Sequence, residues 1–306
     1  MSGRPGRVGV LDVGCFSAHL LVVDGSPLHP VLSHKTRLRL DLALDEHNRI
    51  TRAGLDQLVL AVREAGRTAR RERVPLLVPF ATSVIRDAPN RAEVLAEIHR
   101  GTGIALRVFS GEEEARLAYV AARHWYGWSA GPLAVLDVGG GTVEFAAGEA
   151  GQPRVVRSLP LGARTLARSS ADPALVRDRV RAGLADVDVR GHRGVACSKV
   201  FQQLARLTGA RPQRDGPHVP RVLRLADLRR WAPRLAAMPA RKRARLPGIS
   251  PHRAAQSAAG AVVAEALMAV TGHDVVDICP WSTREGLLLS LQDEAPGSDD
   301  EICWVA

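Results

Sequence analysis

Apolar and polar positions along the chain alternate between two periods, and these periods set out its elements. Residues 8–13, 20–23 and 36–42 are β-prone runs, and Asp24-Gly25 between them is a hairpin dipeptide, so the chain is predicted to open as a β-meander. From Thr51, a suitable N-cap, Leu55, Leu58, Val59, Val62, Ala65 and Ala69 recur at helical spacing. A strand over 76–80 delivers Ala-Thr-Ser-Val-Ile-Arg-Asp (81–87) at its C-terminal end, where ligands collect in α/β sheets. A helix over 91–100 and a strand over 106–109 follow. Ser110 then caps a helix whose first turn holds Glu112, Glu113 and Glu114, acids that suit the positive end of the helix dipole. Residues 127–131, bounded by glycines, are expected to form a hinge between domains.

The second half restarts the pattern. Residues 133–145 read as strand, tight glycine turn and strand, followed by a strand over 153–159 and a helix over 172–185. A turn at 194–197, a helix over 199–208 and a Gly/Pro-rich surface loop over 209–220 come next; 241–245 is a dense basic cluster. Alanine-rich 253–270 is helical by spacing, 275–278 is a late strand, and acidic 292–306 is expected to be a disordered tail.

Val-Leu-Asp-Val-Gly occurs twice, at 10–14 and at 135–139. Two matching strand–turn units predict two matching domains, 1–128 and 129–306, facing a central cleft. In the second turn, glycine amides unobstructed by any Cβ can converge on an anion as a nest, while Asp137 and Glu144 remain to bind a hydrated cation or a water.

Composition adds little to this picture but excludes some classes. The formal net charge of +10 permits polyanionic partners. Cys15, Cys197, Cys279 and Cys303 are scattered without metal-ligand spacing, which argues for a reducing cytoplasm and against a structural metal. There is no long apolar segment suited to a membrane.

Six motifs in order give the chain a family resemblance. They are the turn at Asp12 to Gly14, Ala-Thr-Ser-Val-Ile-Arg-Asp at 81–87, Ser-Gly-Glu-Glu-Glu-Ala-Arg at 110–116, Leu-Asp-Val-Gly-Gly-Gly-Thr-Val-Glu at 136–144, Ser-Leu-Pro-Leu-Gly at 158–162 and Arg-Glu-Gly-Leu at 284–287. Together they resemble the Ppx/GppA phosphatase family, specifically its short two-domain actinobacterial exopolyphosphatases. The resemblance implies an α/β fold of two duplicated actin-like domains of the hexokinase and Hsp70 ATPase type, ribonuclease H-like in topology. It implies hydrolysis of the terminal phosphate of inorganic polyphosphate with Mg²⁺, or Mn²⁺ in its place. Guanosine pentaphosphate (pppGpp) hydrolysis is the alternative within the family, and a weakly active or inactive regulator that binds polyphosphate or (p)ppGpp is the alternative outside enzymes. A homodimer is also implied; neither a membrane nor a nucleic acid is an expected partner.

Carried onto this sequence, the resemblance makes Glu114 the general base and Arg86 its partner or a phosphate ligand. Glu144 positions the water and, with Asp137, holds the metal. Phosphate contacts fall to Asp12, Gly14, Cys15, Phe16, Ser17, Thr82 and Ser83 in the first domain. In the second they fall to Gly139, Gly140, Gly141, Thr142, Ser198 and Lys199. Three departures stand out. Cys15-Phe16 replaces a polar Ser-Asn pair, which predicts weakened binding; Cys197-Ser198-Lys199 replaces Gly-Gly-Thr; Ala255 replaces an acid.

Overall fold

The computed structural model describes residues 7–169 and 172–293. The chain divides into two compact units: Met1–Ser110 with Leu287–Ala306, and Gly111–Gly286.

The first unit begins with β1 (Val8–Val13), β2 (Ser17–Val23) and β3 (Pro30–Arg37), an antiparallel meander as the alternation predicts. Helix α1 (Arg52–Arg71) follows, with Gly54 N–H donating to the Thr51 hydroxyl at 3.3 Å. Then come β4 (Leu76–Ala81), α2 (Ser83–Arg86), α3 (Arg91–Thr102) and β5 (Arg107–Val108). The strand order is β3-β2-β1-β4-β5, with β4 parallel to both β1 and β5. Leu11, Val13, Leu20 and Val22 bury one sheet face against Leu58 and Val62 of α1. Residues 38–42 do not prolong β3 as predicted: the N–H groups of Leu38 and Leu40 donate to the carbonyls of Phe16 and Cys15 at 2.9 and 3.0 Å, which draws the segment onto the first turn.

The second unit opens with α4 (Gly111–Tyr126), then β6 (Leu133–Val138), β7 (Val143–Gly148), β8 (Val155–Leu159), α5 (Ala163–Ser169) and α6 (Pro173–Gly183). It continues through β9 (Arg193–Ala196), α7 (Lys199–Leu207), β10 (Val222–Arg224), α8 (Leu225–Ala237) and α9 (Ala240–Arg243). A 3₁₀ turn at Pro251–Gln256, α10 (Ser257–Val270), β11 (Val275–Ile278) and α11 (Thr283–Asp293) complete the chain. The sheet order is β10-β11-β9-β6-β7-β8. Without the antiparallel edge strand β10, this repeats the first unit's order and directions, so the fold is the duplicated, actin-like α/β architecture.

Strand period decides what each face of the second sheet carries. Ala134, Leu136 and Val138 with Val143, Phe145 and Ala147 form the core beneath Ala163 and Leu166 of α5 and Phe201 and Leu204 of α7. The alternate positions, including Asp137 and Glu144, lie on the opposite face, the one against which α4 packs.

Several expectations are corrected here. Helix α4 falls in the second unit, so the division comes before it and not after residue 128. Residues 127–131 therefore lie inside that unit, as a 3₁₀ turn at Trp128–Ala130 flanked by left-handed Gly127 and Gly131, and they join α4 to β6. The division at Gly286/Leu287 falls within α11. The tail expectation lies outside the described residues from 294 onward, and residues 292 and 293 are helical. No helix among the described residues is long and apolar enough to cross a membrane.

Helix α11 meets α4 backbone to backbone. A Cβ at Gly286 would lie 1.9 Å from the Leu117 carbonyl oxygen, whereas one at Gly151 would meet only Trp128 at 3.7 Å. Gly286→Ala is therefore expected to destabilise the protein by about 1–3 kcal/mol or more, read as a lowered midpoint in thermal or urea unfolding. Gly151→Ala should leave the midpoint nearly unchanged.

Candidate active site

The glycine turn of the second unit is fixed by its carbonyls. Gly139 N–H donates to the Thr142 carbonyl at 2.9 Å, closing the turn. The carbonyls of Gly139, Gly140 and Gly141 accept from Ala163, Arg164 and Gly162 at 3.0, 2.9 and 3.0 Å, at the entry to α5. A trans peptide holds its N–H opposite its C=O, and the described chain has no cis bond. The N–H groups of Gly140, Gly141 and Thr142 therefore point away from α5 in succession, the arrangement that makes an anion nest. Close approach is essential here, since a Cβ at Gly162 would lie 2.3 Å from the Gly141 carbonyl carbon and 2.5 Å from that of Gly140.

Beside this turn stands a row of polar side chains on the α4 face. Asp137 is directly opposite Glu144, and Glu144 is directly opposite Ser158, so adjacent strands bring all three side chains together. The Ser158 hydroxyl donates to Glu144 Oε1 at 3.4 Å, and Glu144 is 4% exposed. Burial pushes Asp137 up to about 6, against the opposing pull of the Ser282 hydroxyl, which donates to its Oδ2 at 3.0 Å, and of the Arg253 charge. Ser282 is itself held by Glu285, whose carboxylate accepts from the Ser282 N–H at 2.9 Å in half of a capping box. The Arg-Glu-Gly-Leu motif thus serves Asp137 indirectly.

Glu114 belongs to this neighbourhood. A Cβ at Gly111, the first residue of α4, would sit 2.0 Å from Ser158 Oγ and 3.5 Å from Glu144 Oε1. Glu114 lies three residues on, on the same helix face and half-buried. The second unit therefore collects Glu114, Asp137, Glu144 and the glycine nest around one end of its sheet.

The first unit repeats the turn with different chemistry. Gly14 N–H donates to the Ser17 carbonyl at 2.9 Å, the counterpart of the Gly139 bond. The carbonyls of Cys15 and Phe16 are bound by Leu40 and Leu38, so the N–H groups of Phe16 and Ser17 point the other way. Asp12 Oδ1 and Thr82 Oγ1 lie 3.8 and 3.5 Å from where a Gly14 Cβ would be, so both overhang this turn. Across the ladder, Asp12 faces His19 instead of an acid, and the His19 ring bonds the Ser33 hydroxyl at 2.9 Å. Cys15 packs on the first unit's core and Phe16 is 7% exposed, so their side chains belong to packing and only their backbone remains for an anion.

Other predicted residues are placed as follows. Ser83 is buried at the start of α2. Arg86 donates to Asp87 at 3.0 Å and to the Phe109 carbonyl at 3.2 Å, two residues before α4 begins. Ser198 is the N-cap of α7: its hydroxyl accepts from Phe201 N–H at 3.4 Å and from Val138 N–H at 3.2 Å, tying α7 to the strand that carries the turn. Lys199 is exposed and donates to Gln202 at 2.6 Å.

Two basic residues were not singled out in the sequence. Arg39, between the two residues that anchor the first turn, pairs with Asp41 at 2.9 Å. Arg164 lies against Gly140, its Nη1 buried without a hydrogen-bond partner. A single arginine near a motif carries no signal in a chain this rich in arginine.

Comparison with known proteins accords with this geometry. The sequence profile of the Ppx/GppA phosphatase family matches residues 21–295. The chain is 43% identical over 310 residues to exopolyphosphatase 1 of Mycobacterium tuberculosis, covering 95% of this chain and 90% of that protein. It is 46% identical over 308 residues to an uncharacterised protein of Streptomyces coelicolor, covering 95% and 91%. The crystal structure of the Aquifex aeolicus Ppx/GppA family member superposes with a TM-score of 0.77 at 24% identity, covering 95% of this chain and 99% of that one. An exopolyphosphatase from Cytophaga hutchinsonii superposes at 0.80 with 20% identity, covering 94% and 98%. The chain belongs to the Ppx/GppA phosphatase family.

Proposed function

We propose that the protein is an exopolyphosphatase, removing orthophosphate from the end of inorganic polyphosphate in the cytoplasm. The observation that carries this reading is the nest of three successive amides at 140–142 beside the opposed carboxylates Asp137 and Glu144. Phosphoryl transfer requires mainly positioning and charge neutralisation, and these are the parts it uses. The amides of residues 140–142 bind the terminal phosphate. Glu114 takes the proton from the attacking water as its oxygen bonds to the terminal phosphorus. The anhydride P–O bond then breaks, and the shortened chain keeps the bridging oxygen. Glu144 orients that water. Arg86 donates to the Phe109 carbonyl, and its planar fork of donors suits phosphate oxygens.

Asp137 and Glu144 suit Mg²⁺, which is commonly held by one or two carboxylates with substrate phosphate and water completing its shell. Among the described residues no three acids, histidines or cysteines cluster as a cation cage. When bound, the ion would neutralise charge on the phosphate oxygens; Mn²⁺ is expected to substitute. The free thiols among the described cysteines fit a reducing compartment.

Purified protein with Mg²⁺ should release phosphate from polyphosphate in preference to pppGpp or ATP. Glu114→Gln should lower the rate by about 10²–10⁴, the usual worth of a general base. Activity that persists in this variant, or release from pppGpp alone, would refute the proposal.

Gly162→Ala pushes a methyl into the backbone of the nest and should cut kcat/KM for polyphosphate by at least about tenfold, since misplaced donors cost that much in a preorganised site. Steady-state kinetics beside a circular dichroism check tests this. Asp137→Asn should separate stability from activity. Folded Asp137 keeps its proton up to about pH 6, whereas the unfolded chain gives it up near the ordinary carboxylate value. The native state therefore binds more protons between these values, and its stability falls as pH rises through them. Without added metal, Asp137→Asn is expected to be more stable at pH 7–8 by roughly 1–3 kcal/mol. That gain should vanish below about pH 4, where both side chains are neutral. Phosphate release should fall at every pH.

A further inference from the structure

The second unit contains an uninterrupted basic stretch that the chemistry above does not use. Residues 228–264 hold no Asp or Glu. At its start, Arg229 and Arg230 are neutralised by Glu265 and Asp227. Further on, Arg241, Lys242 and Arg245, in and just after α9, are exposed and have no side-chain partner among the described residues. Some surface cations elsewhere in this chain have acidic partners, as in the ion pairs Arg52–Asp56, Arg181–Asp178, Arg190–Asp188 and Arg211–Asp215. Three adjacent cations left without one make a local positive field that water and salt screen only over about 8–10 Å.

The position of this patch gives the field a direction. Arg243, on the same turn, donates to the Leu235 and Ala255 carbonyls at 3.4 and 3.3 Å, which fastens α9 between α8 and the 3₁₀ turn Pro251–Gln256. That 3₁₀ turn packs on α5, the element that holds the glycine nest, and it carries Arg253, whose charge reaches Asp137. The three unpaired cations are therefore joined by consecutive packed elements to the turn where the terminal phosphate is proposed to bind. Apolar side chains do not explain the exposure, because α9 contributes no buried residue.

We infer that α9 is a docking rail for the distal part of a polyphosphate chain whose end occupies the glycine nest. The inference rests on the exopolyphosphatase reading for the nest and adds a chain-length preference to it. Tripolyphosphate fills the nest without reaching α9. A long chain lays successive phosphates over Arg241, Lys242 and Arg245, which favours retention between cleavage events.

The test is the triple variant Arg241→Gln, Lys242→Gln and Arg245→Gln, all at exposed positions. Neutralising three surface contacts should raise KM for long-chain polyphosphate about tenfold. It should also flatten the dependence of log KM on log salt by roughly 2–3 in slope. Kinetics on tripolyphosphate should not change. Equal losses on both chain lengths, or on neither, would overturn the rail. Binding of fluorescent long-chain polyphosphate, measured by anisotropy, separates this inference from the activity on which it rests. If the wild type binds the chain through α9 but releases no phosphate, the hydrolase reading falls and the rail stands. If the wild type is active and the variant binds equally well, the rail falls alone. Single-stranded DNA that displaces the polyphosphate at equal phosphate concentration would assign the patch to nucleic acid and overturn the proposal.

Discussion

Three carbonyl hydrogen bonds at the entry to α5 are the constraint on which the site depends. They fix the peptide planes of residues 139–142, and planarity then leaves the amides no other direction. The bonds need Gly162 against Gly140 and Gly141 without a side chain between them. Below, the Ser198 hydroxyl holds Val138 N–H, so the strand end is pinned by α7 while its turn is pinned by α5. The turn is therefore held by bonds within the protein alone, the preorganisation that the proposed anion site calls for.

Duplication gave both units this turn, but different neighbours make the copies unequal. The first turn is anchored by an extended segment through Leu38 and Leu40, the second by a helix entry. At the same ladder position, Asp12 faces His19 while Asp137 faces Glu144. Only the second copy therefore pairs two carboxylates across adjacent strands, and only it has Glu114 on the helix that covers that face. The side chains of Cys15 and Phe16 are spent on packing, so the polar groups that the first turn lacks are missing from a place already limited to backbone donors. The asymmetry supports placing the proposed chemistry in the second unit.

Much of this was legible in the chain, and the limits have physical reasons. The repeated Val-Leu-Asp-Val-Gly identified the paired turns because glycine and a strand-end acid are local requirements. The Thr51 cap was readable for the same reason. The capping role of Ser198 was not legible, because a hydroxyl beside a turn looks the same whether it caps a helix or meets a phosphate. Helices α8 and α9 went unread: Pro233 lies inside α8 and arginine crowds both, which blurs the apolar period. The unit to which α4 belongs depends on which sheet face it covers, a tertiary fact with no local signature. Gly286 shows the same limit, since its need for a missing side chain comes from Leu117, far away in sequence.

The Ser282 to Asp137 bond shows how the site is tuned from outside its motifs. A carboxylate on a largely buried strand end would be driven toward its neutral form, and a neutral acid cannot hold a cation. The hydroxyl and the Arg253 charge oppose that drift. They leave the group poised near neutrality, so it ionises readily when a cation or a phosphate-bound water competes for it. Glu285 makes this arrangement durable by fixing the Ser282 backbone, and Gly286 lets α11 approach α4 closely enough for the same helix start to touch both. One short motif, remote in sequence from the glycine turn, thereby positions the acid on the strand and the helix that brings Glu114.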